Sequence, residues 1–282
     1  MKQTNASPAV RHFGDFLREW RQRRRMSQLD LALEAEISTR HLSFLETGRS
    51  QPSREMVQLL AEKLDMPLRE RNVMLTAAGF APVYSERSLD DPAMRSMREA
   101  VDLVLKGHEP YPALAVDRHW SLVAANDALL RLVRGVDPAL LKPPVNVLRL
   151  SVHPMGLARR IVNFTVWRDH LVARLHHQVN VTGDAVLSAL IEELRAYPVP
   201  DAARHPPGPP RARDDHAGIV VPLELMTEEG SLLTFFSTTT IFGTPVDVTL
   251  SELAIEAFFP ADPETASALR RMAKARPAAA GA

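Results

Sequence analysis

Apolar residues recur at helical spacing through the first third of the chain and give way to strand-like runs after Tyr111. Phe13, Phe16, Leu17 and Trp20 share one stripe, which predicts a helix from Phe13 to about Arg24. Ser27 offers its hydroxyl to a free amide of the next helix, and Asp30 three positions later gives a weaker form of the reciprocal capping pair. That second helix runs from Gln28 to about Ala35 and packs through Leu29, Leu31 and Ala32. After the turn Ala35-Glu36-Ile37, Ser38 caps a third helix, Thr39 to Glu46, with Leu42 and Leu45 inward and Gly48 at its close. Ser53 caps a fourth, striped by Met56, Leu59, Leu60 and Leu64, and a fifth spans Leu68 to Ala78 before Gly79.

Beyond Gly79 the pattern changes. Pro82, Ser85, Ser88 and Pro92 mark a linker, and residues 93–107 read as a connecting helix closed by Gly107. Ala113–Val116 and Ser121–Ala124 read as strands, and residues 126–134 and 154–197 return to helical spacing. Pro198, Pro200, Pro206, Pro207, Pro209 and Pro210 place a loop over residues 198–217, because proline lacks the donor a helix or central strand needs. Three β-rich runs follow, at 218–226, 231–241 and 251–259, the first two joined by the turn residues Glu228-Glu229-Gly230. The expected organisation is a flexible leader at 1–12, an all-α five-helix domain at 13–79, and a linker and connecting helix at 80–107. An α+β domain with an antiparallel sheet occupies 108–262, and a flexible tail or frayed helix 263–282.

Composition narrows the function. Cysteine is absent, which removes disulfides, thiolate metal sites and cysteine nucleophiles. The polar start, Met1 to His12, lacks the apolar core of a secretory signal. No unbroken apolar run reaches the roughly 18 residues of a membrane span, so a cytoplasmic protein is expected. The 34 basic and 34 acidic residues cancel, yet the charge is locally uneven. Arg18, Arg21, Arg23, Arg24 and Arg25 cluster on the first helix, and Arg40, Arg49 and Arg54 follow. Such a cluster serves either as a solvated helix face or as the footprint of a polyanion.

Two short helices joined by a tight turn suit DNA, because the major groove admits one helix and the second of the pair presents its first residues to base edges. The runs Met26-Ser27-Gln28-Leu29-Asp30-Leu31-Ala32 and Ile37-Ser38-Thr39-Arg40-His41-Leu42-Ser43-Phe44-Leu45-Glu46-Thr47-Gly48-Arg49 resemble the phage-repressor and xenobiotic-response-element helix-turn-helix family. Glu36 departs from it, standing where the family often has glycine. The resemblance implies that Gln28 contacts a phosphate, that Thr39, Arg40, Ser43 and Phe44, with Ser38 at the helix start, face the groove, and that Arg49 and Arg54 approach the backbone. Arg40 is the candidate base reader, since a guanidinium bonds guanine O6 and N7 together; a phosphate contact or a surface ion pair is its other reading. Leu42, Leu45 and Glu46 read as packing and an intra-domain ion pair.

In the second domain, a strand, a turn, a strand and a helix capped by Asn126, with Trp120 before it, resemble a sensory PAS module. With Leu68-Arg69-Glu70-Arg71-Asn72, Ala77-Ala78-Gly79-Phe80-Ala81-Pro82 and Phe242-Gly243-Thr244-Pro245-Val246-Asp247-Val248-Thr249-Leu250, the layout resembles the MmyB-like transcription regulators. These join such a helix-turn-helix to a PAS-like ligand-binding domain. The resemblance implies a dimeric regulator of double-stranded DNA with a small apolar, fatty-acid-like effector. Helices over one face of a sheet leave room for a pocket. Trp120, Phe164, Trp167, Phe235, Ile241 and Phe258 are candidate lining residues, with plain core packing as the other reading, and Arg149 or Arg160 is a candidate for holding a carboxylate head, with an exposed surface position as the other reading of both.

His108, His119, His153, His170, His176 and His177 invite a metal or acid–base role, but their spacing fits no ligand set. There is no Gly-rich phosphate loop and no G-x-S-x-G elbow, so neither catalysis nor a cofactor is expected. The alternative is that the C-terminal domain only dimerises or binds a protein partner.

Overall fold

The computed structural model describes residues 12–201, 221–243, 245 and 247–274. The expected leader, apart from His12, most of the proline-rich loop and the last part of the expected tail lie outside the described residues. Two units emerge. The first holds the described residues up to Arg87 together with 245 and 247–251; the second holds Ser88–Gly243 and the described residues from Glu252 onward.

The first unit contains α1 (Phe13–Arg23), α2 (Gln28–Glu34), α3 (Thr39–Glu46), α4 (Arg54–Lys63) and α5 (Leu68–Ala77). Phe13, Leu17, Trp20, Leu31, Leu42, Leu45, Leu60, Leu64 and Leu75 share its core, as the helical spacing requires. Ser27, Ser38 and Ser53 each accept a hydrogen bond from the backbone amide three residues on, so α2, α3 and α4 begin where the sequence places their caps. Asp30 completes the reciprocal pair by accepting from the Ser27 amide at 2.7 Å. Leu29, expected to pack, is 55% exposed, and Val57 takes a core position on α4. Gly14 lets α1 meet α3 closely: a Cβ there would lie 2.5 Å from the Glu46 carbonyl oxygen.

Glu36 sits in the left-handed region, with φ +55°. That explains why glycine suits this turn, since a side chain in that conformation costs roughly 1–2 kcal/mol. Glycine offsets part of this through the freedom it loses on folding, about 0.5–1 kcal/mol. Glu36→Gly is therefore expected to stabilise the unit by about 0.5–1 kcal/mol in chemical denaturation; a loss of stability would show that the Glu36 side chain compensates for its backbone.

The second unit is built on an antiparallel five-stranded sheet of β1 (Ala113–Val116), β2 (Leu122–Ala125), β3 (Leu223–Met226), β4 (Leu232–Ile241) and β5 (Ala254–Pro260). Its order is β2-β1-β5-β4-β3, with the first and last strands side by side at the centre, as in a PAS-like domain. β1 is buried along its whole length because both its faces are covered. Leu114 and Val116 enter the main core, while Ala113 and Ala115 pack with Val101 and Leu105 of α6 (Arg95–Gly107). The main core lies beneath α7 (Asp127–Leu132), α8 (Val147–Val152), α9 (Phe164–Thr182) and α10 (Ala185–Ala196). Gly230, with φ +83°, turns the chain from β3 into β4 where Glu228-Glu229-Gly230 was expected to do so.

Asn126 is buried and joins three elements. Its Oδ1 accepts from the amides of Ala113 and Leu129, and its Nδ2 donates to the carbonyls of Leu105 and Tyr111. It thereby caps α7 and ties β1 to the end of α6, leaving no buried amide atom idle. The segment expected as a flexible tail or frayed helix from 263 begins with α11 (Pro263–Lys274), which buries Thr265, Ala268 and Leu269.

Candidate functional site

In the first unit α3 is held from behind by a buried ion pair. Arg21 of α1 makes two bonds to Glu46 at the end of α3, Nε to Oε1 at 2.6 Å and Nη2 to Oε2 at 3.0 Å. The side chain of Glu46 is 0% exposed and that of Arg21 is 10% exposed. Burial raises the Glu46 carboxyl pKa, but the hydrogen bonds from Arg21 and Gln28, together with the Arg21 charge, outweigh it and hold the group below its ordinary range. The intra-domain ion pair expected of Glu46 is thus in place. Its partner is one member of the arginine cluster, and Arg24 is also used internally, its Nε donating to the Leu64 carbonyl at 2.7 Å. Gln28 Nε2 donates to Glu46 Oε2 at 2.8 Å, so its side chain lies against α3.

The opposite side of α3 is open. Ser38, Thr39 and Arg40 are exposed, and Ser43 and Phe44 are half-buried. The guanidiniums of Arg40 and Arg49 stand 5.3 and 5.9 Å from the Phe44 ring centre, so one aromatic face orients two cations. Arg54 stacks similarly on Phe80 at 5.5 Å. This surface offers a helix with a free guanidinium near its N-terminus and further cations beside it, which suits a groove with flanking phosphates.

The second unit encloses a cavity of about 110 Å³. Trp120, Leu132, Leu150, Trp167, Phe235 and Phe258 are among its walls, and Leu130 and Leu141 line it while remaining exposed, which marks its opening. An apolar cavity of this order has room for a small apolar guest. Trp120 is held there against its backbone preference, with φ +65°. Its indole Nε1 donates to Gln178 at 2.8 Å, and Arg174 stacks over its ring at 4.6 Å. A bulky residue in the left-handed region costs about 1–3 kcal/mol and marks a site the surroundings over-determine.

The sequence candidates divide. Trp120, Trp167, Phe235 and Phe258 line the cavity. Phe164 does not: it is fully buried in the core behind, with Arg168 over its ring. Ile241 is 69% exposed, because β4 runs beyond the helices that cover its first half. Arg149 is engaged elsewhere, bound through both Nε and Nη2 to Glu193 at 2.6 and 2.7 Å. That pair, with the Tyr197 hydroxyl, holds the Glu193 carboxyl down to about 2, while burial and Glu193 push Tyr197 up to about 12. Arg160 donates to the carbonyls of Leu132, Arg134 and Met226 and closes a loop. The cation at the cavity is Arg174, paired with Glu256, a partner 82 residues away that no local spacing reveals.

The histidines do not converge. His119 Nε2 bonds Asp184 at 2.9 Å, His108 Nε2 donates to the Phe258 carbonyl at 3.0 Å, and His176 accepts from Arg195 at 2.8 Å. Burial and the Arg174 charge push the His170 imidazole down. Among the described residues no group of three metal-ligating side chains forms, and no helix is long and apolar enough to cross a membrane.

Comparison with known proteins follows this division. Residues 97–272 match the family described as MmyB-like transcription regulator ligand binding domain, and residues 17–71 match the Helix-turn-helix family. No curated protein matches the chain. Among solved structures, one titled "Structure of an RNA-binding Light-Oxygen-Voltage Receptor" is 14% identical, with a TM-score of 0.27 over 96% of this chain. The chain spans 66% of the length of that structure.

Proposed function

The chain belongs to the MmyB-like transcription regulators, and from that premise we propose that Arg40 reads a base of its operator and that the cavity of the second unit holds a small apolar effector with a fatty-acid-like chain. The coarser function, a DNA-binding regulator with a ligand-binding domain, is the family's. The observation that carries the finer reading is the cavity, whose walls are almost wholly apolar and which opens between exposed leucines. In this reading the protein works in the cytoplasm as a homodimer, its two α3 helices entering half-sites about 34 Å apart.

Coupling follows from the chain path. β4 and β5 carry Phe235 and Phe258 into the cavity wall. The connection between those strands belongs to the first unit, where the Val248 amide donates to the Ser85 carbonyl at 2.8 Å and the Thr249 hydroxyl donates to the Arg87 carbonyl at 2.7 Å. Val248 is fully buried there. In this reading an effector that shifts β4 against β5 acts on the chain segment that the first unit holds. It regulates only through unequal affinity for the two arrangements.

The DNA side makes a separable prediction. Arg40→Ala is expected to cost about 1–3 kcal/mol on the preferred sequence and to relax selectivity at one base pair. Arg49→Ala is expected to weaken all sequences alike and to flatten the salt dependence. Fluorescence anisotropy on matched and single-substituted duplexes at several salt concentrations checks both; equal weakening of every sequence by Arg40→Ala removes the base-reading role. On the sensor side, an apolar chain is expected to raise the melting temperature of the full-length protein. Failure of every such chain to do so leaves the second unit as a dimerisation or interaction module.

A further inference from the structure

The head group of the effector is written in the charges of the cavity, an inference that rests on the cavity being the effector site. The lining holds one cation and one anion among the described residues, Arg174 of α9 and Glu256 of β5, and they are bound to each other. Arg174 Nη2 donates to Glu256 Oε1 at 2.6 Å and to Thr239 Oγ1 at 2.9 Å, and Nη1 donates to Glu256 Oε2 at 3.3 Å. Thr239 in turn donates its hydroxyl to Glu256 Oε1 at 2.7 Å. The Glu256 side chain is only 5% exposed, and the guanidinium is clamped against the Trp120 ring. The remaining polar group of the wall outside the indoles is Ser151, whose Oγ accepts from Trp167 Nε1 at 3.0 Å and keeps its own proton for a guest.

This arrangement is closed to a free acid. An incoming carboxylate meets a cation whose charge another carboxylate already balances, with only its Nε hydrogen and one Nη1 hydrogen left to bond. To gain Arg174 it must displace Glu256, leaving a buried anion without its partner, or crowd two carboxylates on one guanidinium. A hydroxyl or carbonyl faces neither cost: it bonds to Ser151 or to the edge of the intact pair while its chain runs along the apolar wall toward the opening. We propose that the cavity selects an amphiphile with an uncharged head, of the long-chain alcohol or ester class, over the free fatty acid, and that Glu256 sets this choice.

The test compares decanol with decanoate, equal in chain length, by calorimetric titration of the full-length protein at pH 7.5, where decanoate is ionised. Decanol is expected to bind at least about tenfold more tightly. Tenfold corresponds to about 1.4 kcal/mol, within what breaking a buried pair removes. Glu256→Gln keeps the volume and one acceptor oxygen for Arg174 and Thr239 but removes the competing charge, and is expected to shrink or reverse the preference. Decanoate binding wild type as tightly as decanol overturns the proposal, as does a Glu256→Gln protein with an unchanged ratio. If Glu256→Gln does not fold, the wild-type ratio decides alone. Binding of neither chain sinks the effector reading itself, an outcome distinct from both chains binding in the wrong order.

Discussion

Glu46→Ala is expected to cost the first unit about 3–5 kcal/mol, because it strands the buried Arg21 guanidinium and frees Gln28 at the same time. For a unit of this size that lowers its melting temperature by at least about 12 °C. DNA binding falls with it, since Glu46 sits at the end of α3 and fixes that helix against α1. Adding Arg21→Met removes the stranded charge and is expected to recover most of the stability, as a buried pair and a packed apolar residue are often near parity. If Glu46→Ala alone costs under about 1 kcal/mol, the pair behaves as a surface pair and the unit is held by its apolar core. The sign with pH is fixed: the carboxyl is held below its ordinary value, so the stabilisation is present above the unfolded pKa of about 4.3 and is lost as pH falls through the lower folded value.

Phe235→Ala is the counterpart in the second unit. Phe235 is fully buried on β4, packs edge-on against Phe258 with ring centres 6.2 Å apart, and forms part of the cavity wall. Truncation is expected to cost about 3–5 kcal/mol, combining lost burial with an enlarged void. The void joins an existing apolar cavity, so an apolar guest is expected to bind the variant and restore part of the loss, about 2.7 kcal/mol at a hundredfold excess over its Kd. Thermal denaturation with and without decanol separates the cases. A variant that loses stability and regains none with any apolar chain places Phe235 in the core alone.

The first unit is legible in the sequence because its determinants are local. Ser27, Ser38 and Ser53 sit one residue before the helices they cap, and the stripe from Phe13 to Trp20 lies within three turns. Even the departure at Glu36 is readable, since glycine is wanted where φ is positive. In the second unit the strands and the Asn126 cap are also local signals. The polar element of the cavity is not. Arg149 and Arg160 looked available because sequence shows a charge without its partner, and both are occupied by groups 26 to 66 residues away. Arg174 passed unnoticed because its helix shows no clear amphipathic stripe, and Glu256 alternates into a strand where its neighbours are apolar. Long-range antiparallel pairing brings them together, and nothing in either local pattern records it.

In the proposed function, occupancy of the apolar cavity changes how α3 engages DNA. The direct measurement is binding of the full-length protein to fragments of its own upstream region, at two salt concentrations, with and without a saturating apolar chain. Selective, salt-sensitive binding is expected, with an affinity that changes when the cavity is filled and a response that weakens when Val248→Ala loosens the β4–β5 connection. Selective binding with the same affinity in the presence of a chain shown to occupy the cavity would contradict it.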